Sequence, residues 1–95
     1  MKKSLLTITL PISIFRAGKT FVAHSPVLDL SSCGKTRIEA EQRFNEAARI
    51  FFDELMERGT LANVLSSLGW KKAYKKHWKP PTLVANTTKT LTVPT

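Results

Sequence analysis

Ninety-five residues with a formal net charge of +8 make one domain, since a chain this short buries roughly 65% of its unfolded surface, enough for one modest core and not two. A single cysteine, Cys33, excludes an internal disulfide framework and suits a reducing, cytoplasmic compartment; with only two histidines beside it, no four-ligand zinc pattern can be assembled. No apolar run is long enough to span a membrane, and nothing in the chain calls for a cofactor.

Met1-Lys2-Lys3 ahead of an apolar run has the outline of a secretory signal. That run alternates with Thr and Ser, is interrupted by Pro11, and reaches Arg16 and Lys19 without a small-x-small cleavage site. It reads instead as a strand over Leu5 to Phe15. Leu6, Ile8, Leu10, Ile12 and Ile14 fall on one face and Thr7, Thr9, Pro11 and Ser13 on the other, the period of two of a half-buried strand. Pro11 has no amide proton, so it must sit where no ladder bond is needed or where the strand bulges. Arg16-Ala17-Gly18-Lys19 predicts a hairpin turn, with Gly18 free to take positive φ. Thr20 to His24 follows as a second strand, broken at Ser25-Pro26, and Leu28 to Cys33 as a third.

Thr36 to Gly59 carries the strongest helical pattern. Ala40, Phe44, Ala47, Ala48, Phe51 and Leu55 recur at i, i+3, i+4, i+7 spacing. Thr36 and Glu39 form a capping box, the hydroxyl accepting from the Glu39 amide and the carboxylate from the Thr36 amide. Gly59 supplies the stop. Phe44 and Phe51 read as core; Phe52 and Met56 lie off the main stripe and face either a second helix or another subunit. Thr60 is a second N-cap candidate for a two-turn helix through Leu61, Val64, Leu65 and Leu68, ended by Gly69.

The charge is unevenly placed. Up to Glu57 eight basic residues face seven acidic ones, whereas Arg58 to Thr95 holds seven basic residues and no acid. The densest part is Trp70, Lys71, Lys72, Ala73, Tyr74, Lys75, Lys76, His77, Trp78 and Lys79, followed by Pro80-Pro81, which forbids a regular helix beyond about His77. Aromatics four residues apart would align on one face if a helix formed. Lysines could then neutralise phosphates while the aromatics stack bases; in the alternative, the aromatics anchor against the domain or a partner and the lysines solvate the outer face. Trp70, Lys71, Lys72, Tyr74, Lys75, Lys76, His77, Trp78 and Lys79 are thus the candidate partner or nucleic-acid contacts. Beyond them, Leu83-Val84 and Thr90 to Val93 have strand character.

Catalytic constellations are not apparent. Asp29 is the only acid before the helix, so magnesium-binding carboxylates of the nuclease type cannot converge from the first strand. Asp53, Glu54 and Glu57 read as a solvated helix face. His24 and Cys33 lie on adjacent predicted strands, but a nucleophile pair needs hydrogen-bond reach and an oxyanion site. They read as a sheet-edge histidine and a small buried cysteine, and Ser25 as a turn residue. The chain is read as no enzyme.

Phe21-Val22-Ala23-His24-Ser25-Pro26-Val27-Leu28-Asp29, then Gly34-Lys35-Thr36, Glu39-Ala40 and Glu46-Ala47, resembles the HicB-like antitoxin family. Gly59-Thr60-Leu61, Leu65 and Leu68-Gly69-Trp70 resemble the extension of its short members. The likeness covers about Ile12 to Trp70 and implies an α+β, partial RNase H-like fold. In that fold three antiparallel strands form a meander packed by one long helix, with a short second helix and a C-terminal strand on the first strand's free edge. It marks residues 1–70 as a HicB-like domain and leaves 71–95 as a basic, proline-containing C-terminal extension. It further implies a homo-oligomer, dimeric or higher, and a partner that is a small RNA-cleaving toxin of the HicA type. The chain departs from the pattern at Lys35, where an acid is usual, in its basic tail, and in lacking a C-terminal DNA-binding domain. Because such toxins are usually basic, the tail weighs against simple charge complementarity and keeps a nucleic-acid partner open as the alternative.

Overall fold

Among the described residues of the alternating N-terminal segment, only the last part finds a ladder partner. In the computed structural model, which describes residues 8–73 and 77–95, β1 runs over Ser13–Ala17, so the expected strand is shorter at its start. Residues 8–12 keep the alternation without the hydrogen bonds: Ile8, Leu10 and Ile12 are half-buried against the core while Thr9 and Pro11 are exposed. Pro11 therefore stands outside the ladder, where its missing amide costs nothing. Leu5 to Thr7 lie outside the described residues.

A two-residue turn joins β1 to β2, Thr20–Ser25, with Ala17 opposite Thr20. Gly18 takes φ 62° while Lys19 stays at negative φ, the pattern of a type II′ turn, whose twist matches that of the strands it joins. Residues 26–29 form the next turn. There Asp29 takes φ 52°, a left-handed conformation that Asp tolerates better than most side chains. β3, Leu30–Gly34, then pairs antiparallel with β2, two residues later than the pattern predicts because the turn extends through Asp29. The sheet order is β1-β2-β3, an antiparallel meander.

α1, Arg37–Arg58, crosses one face of this sheet. Thr36 Oγ1 accepts from the Glu39 amide at 3.0 Å, as the capping box requires. The reciprocal bond differs: the Glu39 carboxylate accepts from the Lys35 amide at 3.3 Å, one residue upstream of Thr36. Gly34, at the end of β3, lies directly under this first turn. A Cβ added there would stand 2.6 Å from the Ala40 nitrogen and 2.9 Å from the Glu39 carbonyl carbon. Glycine at 34 is thus a packing requirement, which lets the strand end approach the helix backbone.

Both helices end the same way. Thr60 N–H bonds to the Leu55 carbonyl and Gly59 N–H to Met56; ten residues on, Trp70 N–H bonds to Leu65 and Gly69 N–H to Ser66. Each is a Schellman closure, with glycine at φ 68° in the first and 89° in the second. Thr60 precedes α2, Leu61–Ser67, but its side chain makes no capping bond, because φ −107°, ψ 8° departs from the extended N-cap geometry. α2 is held by its packing, chiefly through the fully buried Leu65.

The core has two neighbouring parts. Ala23, Ala40 and Phe44 pack between sheet and α1; Val27, Leu28, Leu65 and Trp70 pack where α2 meets the 26–29 turn, with Phe51 and Phe52 against them. Phe52 therefore faces the second helix, and its ring meets Phe51 edge-on at 5.3 Å. Met56 stays exposed. Beyond α2, β4 (Lys71–Lys72) and β5 (Trp78–Lys79) form a separate hairpin. The expected C-terminal strand does not form: residues 80–95 carry no regular secondary structure, and among the described residues only β2 pairs with β1. No described helix is long and apolar enough to cross a membrane.

Gly34→Ala is expected to destabilise the chain by about 1–3 kcal/mol through backbone overpacking, and Gly59→Ala, where a Cβ meets open space but φ is positive, by about 1 kcal/mol. Urea denaturation followed by circular dichroism checks the order of the two.

Candidate functional site

Two surfaces present chemistry to solvent, and the first is the basic segment after α2. It folds as a hairpin and not as a helix. Gly69 in the left-handed region turns the chain out of α2, and Lys71 then pairs with Lys79, Lys72 with Trp78. Ala73 N–H donates to the His77 carbonyl at 2.6 Å, closing the base of the loop. Tyr74, Lys75 and Lys76 lie outside the described residues.

The candidate contacts divide sharply. Trp70 is 3% exposed, and its Nε1–H donates to the Val27 carbonyl oxygen at 2.8 Å. Its face is committed to Val27, Leu28 and Leu65, so it is withdrawn from any contact with a base or a partner; for this residue the anchoring alternative holds. Trp78 is half-buried and packs on the same cluster. Lys71, Lys72, His77 and Lys79 are exposed. Register puts Lys71 and Lys79 directly opposite one another, hence on the same face of the hairpin. Like charges so placed destabilise a strand pair, and among the described residues neither lysine has an acidic partner: the ion pairs are Arg37–Glu41 at 3.6 Å and Arg43–Glu39 at 3.2 Å, both along α1. The hairpin thus holds a concentration of positive charge that the fold does not neutralise.

The second surface is the face of the sheet opposite α1. Register fixes its members. Ser13, His24 and Ser31 form one row across the three strands, and Phe15, Val22 and Cys33 the next. Alternation sends their neighbours Ala23, Ser25 and Gly34 inward, where all three are buried. This outer face carries no Lys, Arg, Asp or Glu, and Phe15 on it is 56% exposed. Sequence reading missed it because Phe15 follows Ile14 in what looks like one continuous apolar strand. The signal was available in the parity: Phe15 is odd where the core positions are even.

The register also settles the histidine and cysteine. His24 Nδ1 lies 2.7 Å from Ser31 Oγ, its cross-strand partner. Cys33 is opposite Val22 and exposed, not buried as expected, because odd positions of β3 face outward. The two are diagonal neighbours on one face, and His24 is already hydrogen-bonded elsewhere. Ser25 is no turn residue: it ends β2 with its side chain fully buried, its hydroxyl without a hydrogen-bond partner among the described residues. Asp53, Glu54 and Glu57 are exposed on α1, as a solvated face requires. Among the described residues, no three His, Cys, Asp or Glu side chains gather as a metal group would.

Trp70→Ala is expected to cost about 3–5 kcal/mol of stability, and Trp70→Phe about 1–3 kcal/mol for the Val27 carbonyl left unpaired. Lys79→Glu, by contrast, should stabilise the hairpin by about 0.2–1 kcal/mol by placing opposite charges across the strands. Chemical denaturation of the three variants distinguishes an anchoring tryptophan from a charge cluster that the fold merely tolerates. No family model, curated protein or solved structure matches this chain.

Proposed function

We propose that this chain is a protein-binding module of the HicB antitoxin type, acting in the cytoplasm, which covers the catalytic surface of a small RNA-cleaving toxin and performs no chemistry itself. The observation that carries the reading is the uncovered sheet face, where Phe15 and Val22 lie side by side on a surface without formal charge. The meander, the long helix and the glycine-fitted junction at Gly34 follow the order that the resemblance implies, and support the same reading. A basic toxin approaching the neutral sheet face meets no like charge on that face, which reduces the conflict raised by the basic tail.

Occlusion needs shape and apolar area, not reactive groups. An exposed phenylalanine on a rigid strand loses little conformational freedom on binding and is the kind of anchor that dominates interfaces. Pull-down of the full chain from native extract, with nuclease treatment as a control, is expected to recover a small protein in stoichiometric amount whether or not nuclease is present. Val22→Lys, on the central strand, should abolish that recovery while circular dichroism stays unchanged. A chain that recovers no stoichiometric protein would sink the proposal.

A second reading is favoured by one specific observation, the direct opposition of Lys71 and Lys79 with Lys72 and His77 exposed beside them. Unneutralised lysines on a short hairpin suit the phosphates of a nucleic acid. Binding of single-stranded RNA or DNA would then fall steeply with salt, and replacing Lys71, Lys72, Lys75 and Lys76 together with Gln would abolish it. Undetectable binding at low salt would end this reading and leave the first untouched.

A further inference from the structure

The residues after Pro81 form an exposed arm without regular secondary structure. Gly69 and Pro81 fix where it leaves, for a Cβ built at Gly69 would stand 3.3 Å from Pro81 Cγ. From there Leu83, Val84, Leu91 and Val93 are all largely exposed, Val84 at 92% and Leu91 at 80%. The molecule is correspondingly elongated, 55 × 28 × 22 Å, with a radius of gyration of 16.0 Å, against about 12 Å for a compact domain of this length. Thr90 to Val93 nevertheless alternates as a strand does, and Thr and Val favour that conformation. Twelve residues from Thr82 to Val93 contain no proline, and extended they reach about 40 Å.

The same chain carries the complementary vacancy. Among the described residues the outer edge of β1 has no partner, and its unpaired N–H and C=O groups are a template for another strand. On that strand Phe15 is exposed and points to the open face. A strand added beside β1 with Leu91 and Val93 on that face would extend the Phe15–Val22–Cys33 row with apolar neighbours. The outer edge of β3 is a poorer acceptor, since its open-face residues are Ser31 and Cys33. The single charge from Thr82 to Val93 is Lys89, so the arm carries little electrostatic preference of its own and its recognition is apolar and backbone-directed.

We propose that the C-terminal arm adds as a strand to the free edge of β1 in a second copy of this chain, and that the two copies exchange arms reciprocally. One twofold axis then satisfies two arms and two edges, as closed symmetry requires. Main-chain hydrogen bonds give the affinity, and the side chains of Leu91 and Val93 give the register. The added strand borders the open face beside Phe15 and leaves Val22 on the central strand accessible, and its test does not require the partner proposed for that face.

Sedimentation and disulfide trapping of the full chain test it. The chain is expected to sediment as a dimer at micromolar concentration. Leu91→Asp with Val93→Asp should weaken that dimer by at least about a hundredfold, since each buried Leu or Val is worth roughly tenfold or more in affinity. Both positions are exposed in the single chain, so circular dichroism should not change. For trapping, one chain carries Leu91→Cys and Cys33→Ser, and a separately purified chain carries Ser13→Cys or Ala17→Cys, also with Cys33→Ser. Mixing and mild oxidation should yield the mixed disulfide dimer. A clean monomer at high micromolar concentration would overturn the proposal, as would the Leu91→Cys, Cys33→Ser chain forming its disulfide with Cys33 of the unmodified chain more readily than with the Ser13→Cys or Ala17→Cys chain. So would a chain carrying both new cysteines that closes its disulfide within itself at high dilution.

Discussion

The hydrogen bond from the Trp70 indole to the Val27 carbonyl holds together parts of the chain separated by 43 positions. Val27 lies in a turn, where its carbonyl has no ladder partner, and it is buried, so an unpaired oxygen there would cost the full penalty of desolvation. The tryptophan supplies the donor and fills the space above Leu28 and Leu65 with its ring. The elements between β3 and Trp70 deliver it. α1 ends at Gly59, α2 follows almost at once, and Gly69 redirects the backbone so that Trp70 comes back over the turn between β2 and β3. In each closure the carbonyl that receives the long bond belongs to a buried leucine, Leu55 and then Leu65. Trp70 is the third residue past the end of α2, and its contact with Leu65 is the apolar accompaniment that such closures commonly show.

Much of this was legible in the sequence. The helix of Thr36 to Gly59 announces itself through period, cap and stop at once, and local signals that agree are the ones that survive folding. The meander follows from the alternation and from Gly18. What failed did so where a pattern admits two periods. Trp70, Tyr74 and Trp78 are four residues apart, a spacing that aligns side chains on a helix and, being even, also on a strand. Pro80-Pro81 bounds the segment but does not choose between them. The choice was made by Gly69, whose left-handed backbone ends α2 and points the chain into a hairpin. Likewise the alternation from Leu5 onward marks a buried face but cannot say where a ladder partner begins. That depends on the length of the neighbouring strand, and β2 starts at Thr20 and ends at Ser25.

The exposed cysteine and the buried serine show the same limit from the other side. Cys33 is the more apolar residue and lies outside; Ser25 is polar and lies inside with no partner among the described residues. Composition alone assigns both wrongly. Register assigns both correctly, because strand parity is shared across the ladder: once Ala23 faces α1, so must Ser25, and so must Gly34 opposite Phe21. Ser25 is tolerated because the alternative, shifting β2 by one residue, would turn Ala23 out of the core and Val22 into it.

Function then falls to what the core does not consume. The acids of α1 nearest its start are engaged with arginines on the same helix, and the later ones face solvent. None of them meets Lys71, Lys72 or Lys79, so among the described residues the positive charge of the hairpin has no counterpart in the fold. The sheet's outer face has the opposite character, neutral and partly apolar. Surfaces so different, on a chain small enough that one core accounts for its stability, are most simply understood as separate contacts. The neutral face offers apolar area for the contact proposed above, and the lysines offer charge to a polyanion or to the solvent. The arm between Pro81 and Val93 belongs to neither. It presents apolar side chains at strand spacing on a backbone that pairs with no strand among the described residues, and among the same residues β1 offers an edge without a partner. Two incomplete halves of a strand pair on one polypeptide are completed most economically by a second copy.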